Sequence, residues 1–266
     1  MKKIESKLTN VPETMLIPLR AKYNEMYDKR SIIQDPKSVE ILNQIDYDFS
    51  GKKEVSILSQ KGVAIRTGIL DNLTLDFLKR NPDGIVVNLG CGLDTRYFRL
   101  NNQFVPWYDL DVPEAIALRK HFFTETENFR FIPKSVLDFS WIDDVSQKKH
   151  TLFIAEGLFF YFQEKEVKEI LTAISQRFKN SEIIFESISP ILAKNTKLHS
   201  DVKEYHATFK WGIKSGKEIE QWGIGAIFLN EYFYTRHLDK MPLWVALFYK
   251  IVMRKTWKII HLRFDN

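Results

Sequence analysis

The chain has 266 residues, of which 44% are hydrophobic and 27% are charged, a composition typical of a globular protein with one core. The net charge of +5 is modest and spread along the sequence, which argues against a nucleic-acid partner. A single cysteine excludes an internal disulfide and suits a reducing compartment. The first residues lack the apolar run of a secretory signal, and no apolar stretch approaches the roughly 20 residues that span a bilayer. We therefore expect a cytoplasmic protein without a membrane partner.

The part of the chain before residue 80 is predicted to be helical. Residues 14–60 carry no strong strand signal. They contain one break, at Asp35-Pro36, because a residue before proline disfavours the helical conformation. A helical period of apolar residues then runs from Ile69 to Leu78. We expect residues 1–65 to form a helical amino-terminal cap.

From residue 85 onward, short apolar runs alternate with helical segments. Helices are predicted over residues 115–123 and, with the clearest apolar stripe, 167–178. Such alternation indicates a parallel sheet with helices on both faces. Residues 66–189 are therefore predicted to form the core of a single α/β domain. Strands are predicted at residues 85–89, 105–110, 129–133, 152–155 and 182–187.

The alternation stops at Pro190. The polar and aromatic residues 191–235 indicate an insertion over the strand ends, and we assign 190–240 to a substrate lid. Residues 241–266 complete the chain, with a helix expected at 241–253 and a last strand at 257–264.

Two glycines one residue apart follow the first predicted strand, in the sequence VVNLGCGLDTR. Gly90 and Gly92 allow a ligand to approach the backbone, because a side chain at either position would block it. The third glycine of the dinucleotide fingerprint is replaced by Thr95. Asp109 and Asp111 follow Gly90 by 19 and 21 residues, a distance at which an acid can reach a ribose hydroxyl. These features predict a cofactor that contains adenosine.

Five segments resemble, in the right order, motifs of the leucine carboxyl methyltransferase-like family, which also contains polyketide O-methyltransferases. One departure is Cys91, where the family often has alanine. The resemblance implies a class I S-adenosylmethionine-dependent methyltransferase. Its fold would be a Rossmann-like, mostly parallel seven-stranded sheet with an antiparallel last strand. The segments are Asp35-Pro36 with DYDF at 46–49, RTGILD at 66–71, VVNLGCGLDTRYFRL at 86–100, YDLDVP at 108–113 and AEGL at 155–158.

The resemblance also implies which residues hold S-adenosylmethionine. Asp111 matches the acid that binds the ribose, and Leu137 with Asp138 matches the adenine site. Arg66 matches an arginine that holds the carboxylate of the cofactor, and a guanidinium can grip a carboxylate by two parallel bonds. Glu156 closes an apolar strand, and its carboxylate would face the ammonium of the cofactor. The full implied set is Arg66, Gly90, Gly92, Asp109, Asp111, Leu137, Asp138 and Glu156.

Each acid in this set also has a structural interpretation. Asp109 and Asp111 could be turn acids that cap the helix after Pro113, and Asp138 could cap a segment that starts at Phe139. Glu156 could belong to a structural salt bridge, since a buried carboxylate needs a partner.

Four other charged residues are assigned away from direct contact with the cofactor. Asp94 and Arg96, in the glycine loop, are expected to pair with the backbone or with each other as structural scaffold. Arg20 and Lys22 are assigned to the surface, with a second contact to the cofactor carboxylate beside Arg66 as the alternative.

The sequence thus predicts an S-adenosylmethionine-dependent O-methyltransferase acting on a small molecule, with a carboxylate as the candidate acceptor. It indicates no metal site and identifies no catalytic base. Alternatives are a protein C-terminal carboxyl methyltransferase, an NAD-dependent oxidoreductase, and a catalytically silent binding module.

Overall fold

The computed structural model describes residues 4–5, 15–46, 55–101, 104–146, 150–195 and 208–265. Two short strands, β1 (Ile4–Glu5) and β2 (Ile45–Asp46), pair in parallel. The main sheet contains seven strands. These are β3 (Ile85–Leu89), β4 (Trp107–Asp111), β5 (Phe129–Pro133), β6 (Thr151–Ala155), β7 (Ser181–Ile188), β8 (Ala226–Phe233) and β9 (Trp257–Phe264).

The main sheet has the order β5-β4-β3-β6-β7-β9-β8. The five strands from β3 to β7 are parallel, whereas β9 is antiparallel to both β7 and β8. The chain adds β4 and β5 on one side of β3 and then crosses over to add β6 and β7 on the other side. The carboxyl ends of β3, β4 and β6 therefore enclose a crevice, which is the usual ligand position in open α/β sheets. The predicted fold class is confirmed, and the strands at 85–89, 129–133 and 257–264 have the predicted bounds.

Helices cover both faces of the sheet, which is why its central strands β3, β6 and β7 are buried along their whole length and rich in apolar residues. Val86 packs in the core cluster shared with helix α3 (Ile57–Arg80), whereas Val87 packs on the opposite face with helix α6 (Glu164–Arg177). Asp35 caps helix α2 (Pro36–Gln44) by accepting a hydrogen bond from the backbone N–H of Ser38, and Pro36 occupies the first helical position. The helices are α1 (Leu16–Met26), α2 (Pro36–Gln44), α3 (Ile57–Arg80), α4 (Arg96–Arg99), α5 (Pro113–Arg119), α6 (Glu164–Arg177), α7 (Pro190–Lys194) and α8 (Leu243–Ile251).

Two boundaries differ from the sequence prediction. The boundary predicted between residues 65 and 66 falls inside α3, which runs unbroken from Ile57 to Arg80. The lid predicted over 190–240 contains strand β8, which pairs with β9 along the sheet edge. Its sequence AIFLNEYF mixes apolar and polar residues because an edge strand is half exposed. Residues 47–54 and 196–207, which include the expected lid residues Tyr205 and His206, lie outside the described residues.

Candidate functional site

A cavity of about 510 Å³ lies at the carboxyl ends of the parallel strands. Its volume is within the usual range for small-molecule sites. Its two ends differ in chemistry. The polar end is lined by Lys22, Arg66, Gly90, Gly92, Asp111 and Glu156, and the apolar end by Phe160, Tyr161, Phe209, Phe248, Val252 and Trp257.

The glycine turn forms the floor of the polar end. Gly90 and Gly92 have φ of +62° and +47°, a region that favours glycine. A Cβ at Gly90 would lie 2.7 Å from Cδ1 of Leu158, so a side chain there would fill the space above the turn. Both glycines line the cavity, as predicted.

Asp111 lies at the end of β4 and faces the glycine turn. Its Oδ2 accepts a hydrogen bond from the Gly92 N–H at 2.7 Å, and its Oδ1 accepts one from the Val112 N–H at 2.8 Å. Burial raises the pKa of this carboxyl group, although both bonds oppose the shift. Each carboxylate oxygen has a second lone pair that can accept a ligand hydroxyl. Asp111 therefore lies at the cavity, beside the glycines.

Asp109, in contrast, has a structural role. Its side chain is buried, and it accepts hydrogen bonds from Trp107 Nε1 at 3.0 Å and from Arg119 Nη2. Arg119 Nη1 in turn donates to the carbonyl oxygen of Gly92 at 3.0 Å. Asp109 is not among the described residues that line the cavity. The interpretation of Asp109 as a cofactor ligand is therefore wrong: it holds the arginine that supports the glycine turn.

The predicted adenine residues also lie elsewhere. Asp138 Oδ1 accepts a hydrogen bond from the Ser140 N–H at 3.2 Å and caps the 3₁₀ helix Phe139–Asp144. The described lining of the cavity includes neither Asp138 nor Leu137. The structure thus favours the capping interpretation of Asp138 and does not bring the adenine pair to the site.

Glu156 has two arginine partners within the protein. Its Oε1 accepts a hydrogen bond from Arg66 Nε at 2.8 Å, and its Oε2 accepts one from Arg96 Nη2 at 2.5 Å. Burial acts to raise the pKa of Glu156, but the two guanidinium groups outweigh it and hold the pKa at about 2. Glu156 and Arg66 both line the cavity. The structure therefore favours the salt-bridge interpretation of Glu156, whose charge is compensated within the protein before any ligand binds.

The charged network continues from Arg96 into α1. Arg96 Nη1 donates to Asp94 Oδ2 at 2.7 Å, which confirms the predicted pair. Lys22 Nζ lies 3.3 Å from Asp94 Oδ1 and is buried in the wall of the cavity. The surface assignment of Lys22 was made from a segment without strand or motif signals, and it is wrong because α1 packs against α3.

A second buried pair at the cavity was missed by the sequence analysis. Glu186, near the end of β7, accepts hydrogen bonds from Arg66 Nη1 at 2.8 Å and from Tyr234 Oη at 2.5 Å. Burial raises the pKa of Glu186 despite the charge of Arg66, and burial with the nearby Glu186 raises that of Tyr234. A signal was present, since Glu186 interrupts the apolar strand sequence IIFESI just as Glu156 closes an apolar strand.

The apolar end is built from aromatic rings on separate elements. The ring centroids of Phe160 and Phe209 are 4.8 Å apart, and Trp257 at the start of β9 lies 5.7 Å from Phe160 and 6.0 Å from Phe209. Such edge-to-face packing makes a rigid wall that suits an apolar or aromatic ligand.

Comparison with known proteins gives a consistent result. The sequence model of the leucine carboxyl methyltransferase family matches residues 19–175. The tetracenomycin polyketide synthesis O-methyltransferase TcmP of Streptomyces glaucescens is 33% identical over 215 residues, which cover 80% of this chain and 79% of that protein.

Two solved structures share the fold. A DUF574 family protein from Streptomyces avermitilis has a TM-score of 0.61 at 10% identity, covering 92% of this chain and 96% of that one. Magnesium protoporphyrin IX methyltransferase from Synechocystis, solved with bound SAH, has a TM-score of 0.51 at 12% identity, covering 81% of this chain and 90% of that one.

Proposed function

The chain belongs to the leucine carboxyl methyltransferase family and is an S-adenosylmethionine-dependent O-methyltransferase, and from that premise we propose how its cavity is used. The cofactor binds at the polar end and a small acceptor binds at the apolar end. The observation that carries this assignment is that Gly90, Gly92 and Asp111 line a single cavity together with Arg66 and Glu156.

The donor set of the polar end fits the cofactor. Asp111 accepts a hydrogen bond from a ribose hydroxyl, and the space above Gly90 admits the ligand close to the backbone. The carboxylate of the cofactor is held by Lys22 together with Arg66. Lys22 belongs in this group because it is a buried cation in the cavity wall, and its ion pair with Asp94 is longer than those of Arg66. Glu156 faces the ammonium.

When bound, the cofactor supplies a methyl group already activated by its sulfonium. The chain then has to hold an acceptor oxygen in line with that methyl and to exclude water, and fixed orientation of this kind supplies much of the rate. The aromatic wall performs both tasks for a small apolar acceptor. The relative from Streptomyces glaucescens is named for polyketide synthesis, which supports a small-molecule acceptor here as well.

The acceptor oxygen belongs either to a carboxylate or to a hydroxyl. A carboxylate is ionised at neutral pH and needs no base. A hydroxyl must lose its proton, and Tyr234 with Glu186 offers a path: the acceptor proton passes to Tyr234 Oη while the Tyr234 proton passes to Glu186. The acceptor electron pair forms the new O–C bond, and the pair of the broken C–S bond stays on sulfur.

Calorimetric titration with S-adenosylhomocysteine tests the assignment of the polar end. We expect one binding site in the natural protein and loss of binding in Gly90→Ala, whose Cβ meets Leu158. Gly223→Ala is the control, because its φ is +70° as well but no atom lies within 4 Å of the added Cβ. Binding of NAD in place of S-adenosylhomocysteine, or unchanged affinity in Gly90→Ala, would overturn the assignment.

Transfer of labelled methyl groups to a panel of aromatic carboxylic acids and phenols tests the acceptor. A methyl ester releases its label as methanol in mild alkali, whereas a methyl ether keeps it. If the acceptor is a hydroxyl, Tyr234→Phe lowers the rate of ether formation. If it is a carboxylate, the product is alkali-labile and Tyr234→Phe leaves the rate of ester formation unchanged. Cofactor binding without any transfer would support the silent binding module.

A further inference from the structure

Helix α8 carries an apolar face that points away from the protein. Leu243 and the residues one, four and eight positions after it lie on one side of the helix. Within the described part of the chain, this side is uncovered. The exposed fractions are 76% for Leu243, 58% for Trp244, 47% for Leu247 and 73% for Ile251.

The opposite side of α8 is fully used for packing. Val245 and Tyr249 are buried in the core, and Tyr249 Oη donates to the Leu58 carbonyl oxygen at 2.7 Å. Phe248 and Tyr249 also line the cavity. The exposed side is therefore a second apolar surface of a helix whose core contacts are already made. Isolated exposed apolar residues are ordinary, but a contiguous patch marks an interaction surface.

Positive charge flanks this helix along the chain. Arg236, Lys250, Arg254 and Lys255 are exposed, and among the described residues none of them has a carboxylate oxygen within 4.0 Å. Asp239 is the exposed acid that lies in the same stretch, residues 236–256. The surface thus combines a tryptophan and large aliphatic side chains with flanking cations.

We propose that the outer face of α8 docks the protein on an anionic lipid surface. Helices that lie in a membrane interface bury Trp and Leu at the boundary of the acyl chains while Lys and Arg meet the anionic headgroups. The charges favour this occupant over a second copy of the chain. A two-fold contact through α8 would place the same cations opposite one another, and such a pairing is repulsive.

The docked face also adjoins the mouth of the cavity. Ile191 in α7 and Val252 after α8 line the cavity and yet are 74% and 52% exposed, so they mark where the apolar end opens. The Ser189 N–H donates to the Thr256 carbonyl oxygen at 2.8 Å, which fixes α7 beside this end of α8. An apolar acceptor dissolved in the lipid could enter directly, a consequence that rests on the proposed function.

This inference departs from the sequence expectation of no membrane partner. That expectation rests on the lack of an apolar stretch long enough to span a bilayer. Within the described residues, no helix is long and apolar enough to cross one. Helix α8 has nine residues and is apolar on both its inner and its outer side, so it is too short to meet that criterion.

Vesicle flotation with the full chain tests the proposal. We expect the protein to float with vesicles that contain phosphatidylglycerol, and to stay behind with phosphatidylcholine alone. The variant Trp244→Ser/Leu247→Ser should lower the bound fraction at least tenfold. Reversal of charge in Lys250→Glu/Arg254→Glu should lower it by about fivefold or more per residue. Leu75→Ser and Lys79→Glu, exposed positions on α3, are the matched controls and should bind as the natural protein does.

The melting shift caused by S-adenosylhomocysteine is measured on every variant. An equal shift in all of them shows that the α8 variants are folded and keep the cofactor end, so a loss of flotation reports on the surface alone. Equal flotation with both lipids, or unchanged flotation of both α8 variants, would overturn the proposal. So would a concentration-dependent dimer that Trp244→Ser/Leu247→Ser dissociates, since a second copy would then be the occupant.

Discussion

Asp109 and Asp111 lie two residues apart on β4 and point to the same face of the sheet, yet they have different partners. Asp109 is buried against Arg119 and Trp107, whereas Asp111 meets the Gly92 backbone at the cavity. A step of two residues along the strand therefore separates an acid with a structural role from an acid in the cavity wall.

Neutral variants of these two acids should therefore have opposite effects. Asp111→Asn should weaken binding of S-adenosylhomocysteine by about 1.5–3 kcal/mol, the range for hydrogen bonds to charged groups, with a small change in melting temperature. Asp109→Asn leaves the Arg119 charge buried without its partner and should destabilise the protein by about 3–5 kcal/mol. Titration calorimetry and thermal unfolding on both variants check this. Equal loss of affinity in both, with equal stability, would contradict the distinction.

Glu156 is the residue for which the structure favours the salt-bridge interpretation over an unpaired carboxylate that waits for the cofactor. Because Arg66 and Arg96 both bind its carboxylate, Glu156→Gln should destabilise the ligand-free protein by about 3 kcal/mol. Urea unfolding without cofactor measures this. The control is Glu169→Gln, because Glu169 on α6 is half exposed and its contact with Lys165 at 3.8 Å contributes little. Unchanged stability together with lost affinity would instead identify the cofactor ammonium as the main partner.

At the scale of elements, the sequence motifs prove to be parts of one ion network. Asp71 of the RTGILD segment accepts hydrogen bonds from both Arg96 and Arg99 of the glycine motif, at 2.8 and 2.6 Å from the Nε atoms. Arg99 also donates to Asp35 at 2.9 Å. Three segments separated along the chain are thus locked together beneath the cavity.

Hydrophobic periodicity and turn residues were sufficient for the parallel strands, because those signals are local. The partners of Asp109, Glu156 and Lys22 could not be predicted, since they depend on how α1, α3 and α5 pack on the sheet. Strand β8 was missed for a similar reason. An edge strand with one partner lacks the apolar run that marks a buried strand, and its pairing with β9 is set by tertiary contacts.

The contact between α3 and α8 can be tested with two glycines of the same helix. A Cβ at Gly62 would lie 2.5 Å from Tyr249 Oη, whereas one at Gly68 would meet Ile33 at an ordinary 3.8 Å. Gly68→Ala should stabilise the protein by about 1 kcal/mol through helix propensity. In Gly62→Ala the clash with Tyr249 should cancel the gain from helix propensity. It should also break the hydrogen bond of Tyr249 Oη, so that the protein loses about 1 kcal/mol of stability in total.

The added variant Tyr249→Phe separates the causes in a double-mutant cycle. It removes the hydroxyl that the new methyl group would strike, so Gly62→Ala should cost less stability in that background than alone. Additive effects of the two substitutions in urea unfolding would show that the α3–α8 contact is not the cause.

At the scale of the whole molecule, four of the described buried carboxylates fall into two groups with opposite dependence on pH. Arg66 and Arg96 hold the pKa of Glu156 at about 2, and His261 with Arg80 holds that of Glu182 at about 2, in each case against burial. Burial instead raises the pKa of Asp109 and Glu186. A group with a lowered pKa stabilises the folded state at neutral pH. A group with a raised pKa instead makes the folded state more stable relative to the unfolded state as the pH falls and the group takes up its proton.

Acid unfolding should therefore follow the carboxylates whose pKa is lowered. As the pH falls, Glu156 in the unfolded chain takes up a proton near pH 4.5, whereas in the folded protein, with a pKa of about 2, it stays ionised to a much lower pH. The stabilisation of the folded state by ionised Glu156 is thus complete above about pH 5, where it amounts to about 3 kcal/mol, and it is lost as the pH falls toward 2. Glu156→Gln has no such group, so the difference in unfolding free energy between it and the natural protein should shrink over that range. Urea unfolding at a series of pH values measures the difference. A difference that stays constant down to about pH 3 would show that Glu156 acts through packing and not through its charge.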